Sequence, residues 1–334
     1  MSSSLRDTPR IVIAGASSLL GAELRSLLEE SRLAAADFRL LDEELAAGTL
    51  TEAGGEAAVI QTVEEGSFAR ASIVFFTGSP DFTRANLTAA RAAGGKVIDL
   101  SGGTPAETER VLWFAKLDAL RGRAFPADSR LFAIPSAAAT AASSLALGLA
   151  KLDAAHLVFL GFQSVSEAGR AGIEELESQT GQLLSFQGVG QPVFDTQVAF
   201  NLLDRFGPQS LLKLATVRAR LDAEIPACVG DHAAAPAVQI IHAPVFYGAA
   251  FAACAELPAG TTADRVSDAC QNAGFVIPPD ATGPSNVSVA GEKVLHLAKP
   301  EPDPARPGAW WFWGAADNIR LPAANAVKLA EMLL

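Results

Sequence analysis

The sequence predicts an α/β protein with a doubly wound parallel sheet followed by a second, mixed-sheet α/β domain. Up to about residue 135, short apolar runs alternate with helix-spaced segments and are separated by glycine turns. Beyond about residue 150, strand-like runs recur with longer and more polar connections. With 334 residues, the chain is long enough for two separate cores.

Arg10 to Ala14 is an apolar run that ends at Gly15, and Leu20, Leu24, Leu27 and Leu28 follow at helical spacing. Phe38 to Leu41 is the second strand and stops at the acidic cluster Asp42-Glu43-Glu44. Ile73 to Phe76 is the third, ended by Thr77-Gly78-Ser79-Pro80. A helix marked by Leu87, Ala90 and Ala93 leads into the strand Lys96 to Leu100, and Leu131 to Ile134 adds one more. Residues 1–136 thus form one domain, completed by a terminal helix within 315–334, and residues 137–314 form the second. In the second domain, Leu157 to Phe162 reads as a strand and Ala168 to Leu184 as a helix. A glycine-rich loop comes next, then strand-like alternation over Val238 to His242 and Val245-Phe246.

Acidic side chains number 37 against 26 basic ones, a formal charge of −11 with no concentrated run. Nucleic acid and anionic membrane surfaces require a basic face, so neither is expected as a partner. The three cysteines (Cys228, Cys254, Cys270) have no CxxC spacing and the four histidines form no ligand set, so no metal site is expected. A short polar start and the lack of a long apolar run point to a cytoplasmic protein.

The turn Gly15-Ala16-Ser17-Ser18-Leu19-Leu20-Gly21 joins the first strand to the first helix. Such a turn offers backbone N–H groups and the positive helix end to a phosphate. Ser18 replaces the middle glycine of a GxxGxxG pattern and holds the backbone further from a pyrophosphate.

Longer stretches carry a resemblance. Gln163-Ser164-Val165-Ser166-Glu167-Ala168-Gly169-Arg170-Ala171-Gly172 resembles the Gln-x-x-Ser-Gly-x-Gly-x-x-Gly region of the aspartate-semialdehyde dehydrogenase family. Ala199-Phe200-Asn201 and Ala243-Pro244-Val245-Phe246-Tyr247-Gly248 match further segments of that family. Ala316-Asp317-Asn318-Ile319-Arg320 and the terminal helix match its ending, and resemble most a group of paralogues that lack the nucleophile. The resemblance runs from Ile11 to Leu334 and implies a Rossmann-type domain joined to a homodimer-forming domain.

It also implies a chemistry, the reduction of an acyl phosphate with NADPH or its reverse. That reaction needs a thiolate, an imidazole and arginines for phosphate and carboxylate. The family's Asn-Pro-Asn-Cys stretch reads Ile134-Pro135-Ser136-Ala137 here, and the imidazole position is Ala249. The substrate arginine is His242, and the phosphate arginine is missing from Ser101-Gly102-Gly103-Thr104. Gln163, which lies beside the nucleophile in the family, is retained. As stand-ins, Ser136 has no nearby base, His242 sits on an apolar strand where a packed histidine is the usual finding, and Cys254 has a buried-strand context. The family's NADPH loop is Asp42 to Gly48 here. A carboxylate there repels a 2′-phosphate and accepts a ribose hydroxyl, so NAD(H) is expected over NADP(H), unless the acidic cluster is simply a solvated helix start.

The resulting candidates for cofactor binding are Gly15, Ser17, Ser18, Leu19, Leu20, Gly21, Asp42, Gly78, Ser166 and Asn318. The expected function is that of a pseudoenzyme, a homodimeric nucleotide- or partner-binding module. The alternative is an NAD(P)-dependent oxidoreductase that acts on an aldehyde or oxo group without a thioester.

Overall fold

A computed structural model describes residues 8–279 and 282–334. The chain divides into two compact units, one formed by residues 1–115, 125–135 and 322–334, the other by 116–124 and 136–321.

In the first unit, β1 (Arg10–Ala14) leads to α1 (Leu19–Glu29) and β2 (Asp37–Asp42). A hairpin of β3 (Leu50–Ala53) and β4 (Glu56–Val59) precedes β5 (Gln61–Thr62), and neither had a clear apolar signature. Then come β6 (Ile73–Phe76), α2 (Pro80–Ala92), β7 (Lys96–Asp99), β8 (Val111–Leu112) and β9 (Leu131–Ala133). The main sheet has the order β5-β2-β1-β6-β7-β9-β8, with every pairing parallel. Its central strands are buried on both faces: Ile11, Val12, Ile13, Val74 and Phe75 are fully covered, which is why they read as continuous apolar runs. One side packs Leu24, Leu27, Leu28 and residues 323–330 against Ile11, Ile13 and Phe75. The other packs Phe82, Leu87 and Ala90 against Val12, Val74 and Phe76.

The second unit contains α3 (Leu117–Leu120), α4 (Ala137–Ala150), β10 (Ala155–Gln163), α5 (Gly169–Leu184), α6 (Leu214–Val229), β11 (Ala237–His242) and β12 (Ala249–Glu256). It continues through α7 (Ala263–Asn272), β13 (Phe275–Val276), β14 (Leu295–Leu297), β15 (Glu301–Pro302) and β16 (Ala309–Ala316). The sheet is mixed, in the order β11-β10-β12-β16-β14-β13, with β15 paired to β16. Strands β10 and β11 run parallel, while β12 lies antiparallel to both β10 and β16. Phe159 and Phe251 stack in its core with centroids 4.8 Å apart.

Two local expectations change, at Val245-Phe246 and at the start of the helix expected from Ala168. Val245-Phe246 is not a strand, because the chain turns there and its carbonyls accept from the Val165 and Ser166 amides. The terminal helix α8 spans Arg320–Leu333, inside the expected 315–334, and residues 315 and 316 ahead of it pair within the second sheet. Asp317 Oδ1 then accepts from the Ile319 and Arg320 amides and starts the helix. The helix expected over Ala168 to Leu184 is preceded by a 3₁₀ turn at Val165–Ala168.

Candidate functional site

The turn after β1 is built around close backbone approach. Gly15 has φ +97°, and a Cβ there would press into the Gly78 amide and lie 2.8 Å from the Thr77 carbonyl carbon. A Cβ on Gly21 would lie 2.5 Å from the Gly15 oxygen. The Thr77 hydroxyl donates to that oxygen at 2.9 Å, which fixes the turn against the end of β6.

The loop donors are largely assigned. Gly15 N and Ala16 N donate to the Leu41 carbonyl at 2.8 and 3.1 Å. Ser17 N donates to Asp42 Oδ2 at 2.6 Å. Ser18 is the N-cap of α1: its hydroxyl accepts from Gly21 N at 2.9 Å and donates to Thr77 O at 2.8 Å. This explains a serine at the middle glycine position. The amides of Leu19 and Leu20 remain as the first-turn donors that a helix cannot satisfy itself. The donor set and the glycine cradle fit a dinucleotide's pyrophosphate.

Asp42 is only 7 % exposed, and its second oxygen accepts from Glu43 N at 2.8 Å. It is therefore a loop-tying carboxylate, while the exposed Glu43 and Glu44 that follow it open a solvated 3₁₀ turn over Glu44–Ala46. Glu43 accepts from the Ser79 hydroxyl, the N-cap of α2, so acidic groups rim the turn where a 2′-phosphate would need a cation.

Beyond β7, Asp99 organises the segment in which the resemblance seeks an arginine. Oδ1 accepts from the Ser101 amide and hydroxyl at 2.8 and 2.6 Å, and Oδ2 from the Thr104 amide and hydroxyl at 2.8 and 2.7 Å. The loop is fully ordered by hydrogen bonds without a cation in Ser101-Gly102-Gly103-Thr104.

In the second unit Ser136 caps α4, and Ala137 is the first residue of that helix, buried with only its methyl group to present. Strand register sets His242, Gln163, Ala249 and Ala316 side by side. His242 is fully buried, accompanied by the Phe194 and Phe206 rings, with Nε2 3.2 Å from the Val198 carbonyl. Burial lowers its pKa, so it is a packed neutral imidazole. Burial raises the pKa of all three thiols, to about 12 for Cys228 and Cys270 and in the same direction for Cys254, so none is a ready thiolate.

Asn318 is engaged within its own unit. Its Oδ1 accepts from Gly248 N at 2.7 Å, and its Nδ2 donates to the Ser166 hydroxyl and to Glu167 Oε1, both at 3.0 Å. Ser166 also contacts Ser164 at 3.0 Å. The structure thus brings Ser166 and Asn318 together with Gln163 and Ala249, and groups Gly15, Ser17, Ser18, Gly21, Asp42 and Gly78 in the first unit.

Sequence reading missed a charged group near Ala137. Glu224, 6 % exposed, accepts from Ser136 N at 3.2 Å and from Arg220 Nε at 2.7 Å. Glu167 lies in the electrostatic range of both Arg220 and Glu224, and burial of its carboxyl by surrounding protein raises its pKa although part of the side chain meets solvent. The i,i+4 spacing of Arg220 and Glu224 was the available signal. Among the described residues, no group of three or more histidine, cysteine or acidic side chains is placed to hold a metal. No helix among them is long and apolar enough to cross a membrane.

Comparisons with known proteins agree with this architecture. Residues 10–121 match the NAD binding domain of semialdehyde dehydrogenases, and residues 147–321 match their dimerisation domain. A USG-1 protein homolog of Pseudomonas aeruginosa is 32% identical over 333 residues, covering 97% of each chain. Aspartate-semialdehyde dehydrogenase 2 of Vibrio cholerae is 27% identical over 335 residues, again with 97% of each covered. Among solved structures, a probable aspartate-semialdehyde dehydrogenase from Pseudomonas aeruginosa superposes with a TM-score of 0.86 at 27% identity over 98% of both chains. The chain belongs to the semialdehyde dehydrogenase family.

Proposed function

We propose that this chain is a dinucleotide-binding, homodimeric member of its family that does not reduce acyl phosphates. Ala137 carries the reading. It occupies the nucleophile's position at the start of α4 with a methyl group, while every cysteine is held protonated elsewhere. Ala249 and the packed His242 add support, since neither supplies a proton-transfer group or a carboxylate-binding cation.

The acidic rim supports NAD(H) over NADP(H). Calorimetric titration with NAD, NADH, NADP and NADPH should give saturable binding of the unphosphorylated pair, about tenfold tighter than of their 2′-phosphates. The substitution Asp42→Ala should narrow that preference. The same preparation should show no turnover of an acyl phosphate with either reduced nucleotide. Equal binding of all four nucleotides to wild type and variant would refute the acidic-rim reading, and no binding at millimolar concentration would sink the nucleotide module altogether.

Homodimerisation is supported by the match to a dimerisation domain and by the open face of the second sheet, where Val158 on β10 and Trp311 and Trp313 on β16 stand exposed on the two strands that flank β12. The substitution Trp311→Glu is expected to weaken the dimer by about a hundredfold. Sedimentation velocity across a dilution series reads this directly, and an unchanged dimer would place the interface elsewhere.

A further inference from the structure

We propose that residues 190–211 form an acid-released flap on the second unit, latched on one side by the His242 ring and held on the other by α5. The inference goes beyond the functional reading above and does not depend on it. The flap lies between α5 and α6, and its residues, all of them described, belong to no helix or strand. Irregular chain of this length is seldom kept in a folded domain without a use. Buried side chains hold it from two directions. From α5, Glu175 accepts from the Val193 and Phe194 amides, and Gln179 Oε1 from the Val198 and Ala199 amides at 2.8 and 3.1 Å. Gln179 Nε2 donates to the Gly190 and Thr196 carbonyls at 3.0 and 3.1 Å. From β11, His242 Nε2 donates to the Val198 carbonyl at 3.2 Å, and the His242 backbone exchanges hydrogen bonds with Leu203. The Phe194 and Phe206 rings flank the imidazole, with centroids 6.2 and 5.4 Å from it.

The latch holds with one ring proton and not with two. Nε2 carries the hydrogen given to Val198, which leaves Nδ1 as a bare acceptor, buried and without a partner. A second proton would place an N–H on Nδ1 with nothing to receive it, and a charge on a fully buried ring. Burial accordingly lowers the pKa of the ring. The charged groups of the elements around it are engaged elsewhere. In the flap, Asp195 accepts from the Gln209 amide at 2.8 Å, and Asp204 pairs with Arg205 at 2.6 Å. On α6, which packs against β11, Arg218 pairs with Asp222 at 3.7 Å and Arg220 with Glu224 at 2.7 Å. Lys213 donates to the Gly207 carbonyl at 3.0 Å, and the β10 neighbour of His242 is the neutral Gln163. Glu175 titrates in the opposite sense: burial raises its pKa, so acid neutralises it in place while its oxygens still face the amides. Backbone strain adds to the bias, since Asp195 and Phe200 hold φ of +51° and +57°, left-handed conformations that persist only while surrounding contacts impose them. The sign follows. The closed ring has a pKa below the ordinary imidazole value of about 6.5, so closure is fully stabilised above that pH and is lost as pH falls through the closed-state value.

Hydrogen exchange of the full chain, read as amide protection factors over the range from pH 8 to pH 5, tests the flap. Protection at Val198 and Ala199 should hold above about pH 6.5 and fall about tenfold per pH unit below it, the slope of one proton taken up on opening. The Phe251 and Ala253 amides in β12 should keep their protection, which separates opening of the flap from unfolding of the unit. The substitution His242→Gln keeps a donor for the Val198 carbonyl and carries no charge, so protection at Val198 should become independent of pH. Glu175→Gln keeps an acceptor for the amides and should leave the slope in place. A flat profile in the wild type, a slope that persists in His242→Gln, or one that vanishes in Glu175→Gln each overturns the proposal. Should His242→Gln fail to fold, the wild type still decides: the His242 ring resonances should titrate below 6.5 together with the loss of protection, and a midpoint at or above 6.5 refutes the latch.

Discussion

Alanine at Gly15 should abolish dinucleotide binding and destabilise the first unit by about 3–5 kcal/mol, the range reserved for strain in a packed interior. Two costs combine. At φ +97° an L side chain is strained by about 1–2 kcal/mol. The new Cβ also meets backbone, the Gly78 amide and the Thr77 carbonyl carbon, and backbone cannot swing aside as a flexible side chain would. Relief would require the β1 turn to move away from the end of β6, which breaks the Thr77 bond to the Gly15 oxygen and displaces the Leu19 and Leu20 amides. Gly48 provides the control: its φ is +84°, yet a Cβ added there would meet nothing within 4 Å, so Gly48→Ala should cost only about 1 kcal/mol. Urea unfolding of both variants, with nucleotide titration of each, separates strain from collision. Equal losses would show that the contact with Gly78 contributes nothing.

Removal of the Asp99 carboxylate, in Asp99→Ala, is expected to cost about 3–4 kcal/mol, because buried donors are left unmet. Two amides and two hydroxyls converge on this single side chain, which is 1 % exposed. The hydroxyls can recover part of the loss, since Ser101 Oγ already lies 2.7 Å from Thr83 Oγ1. The amides of Ser101 and Thr104 have no such outlet. Asp99→Asn keeps one acceptor oxygen and should cost about half as much. Denaturant midpoints at constant m-value measure both, and a loss below about 0.5 kcal/mol for Asp99→Ala would mean that the loop is held by its other contacts. The result bears on function, because it tests whether the segment keeps its shape without the arginine that the family resemblance leads one to seek there.

Particular residues show how far the sequence could be read. The strands through Ile11–Ile13 and Ile73–Phe76 were legible because a parallel strand covered on both faces must be apolar at every position. Ser18 was legible as a departure from a glycine pattern, but its reason, a helix cap that also ties down Thr77, required the third strand to be in place. Helix α6 was missed because its apolar face is weakly marked and it contains Pro226, and with it went the Arg220–Glu224 pair. Val245-Phe246 alternates like a strand, yet its carbonyls are used by the Val165 and Ser166 amides in a turn.

By itself the sequence determined the fold class, the phosphate-turn candidate and the chemical emptiness of positions 137 and 249. These follow from local pattern and residue type, since an alanine has no nucleophile or base in any conformation. Only the tertiary structure decided what the remaining polar groups do. It made Asp42 a tie for the Ser17 amide, and His242 a packed ring near Phe194 and Phe206. It also drew Glu167, Glu224 and Gln163 into one neighbourhood from three separate elements. The role of a polar side chain depends on the partners and dielectric around it, and both are set by residues far away in the chain.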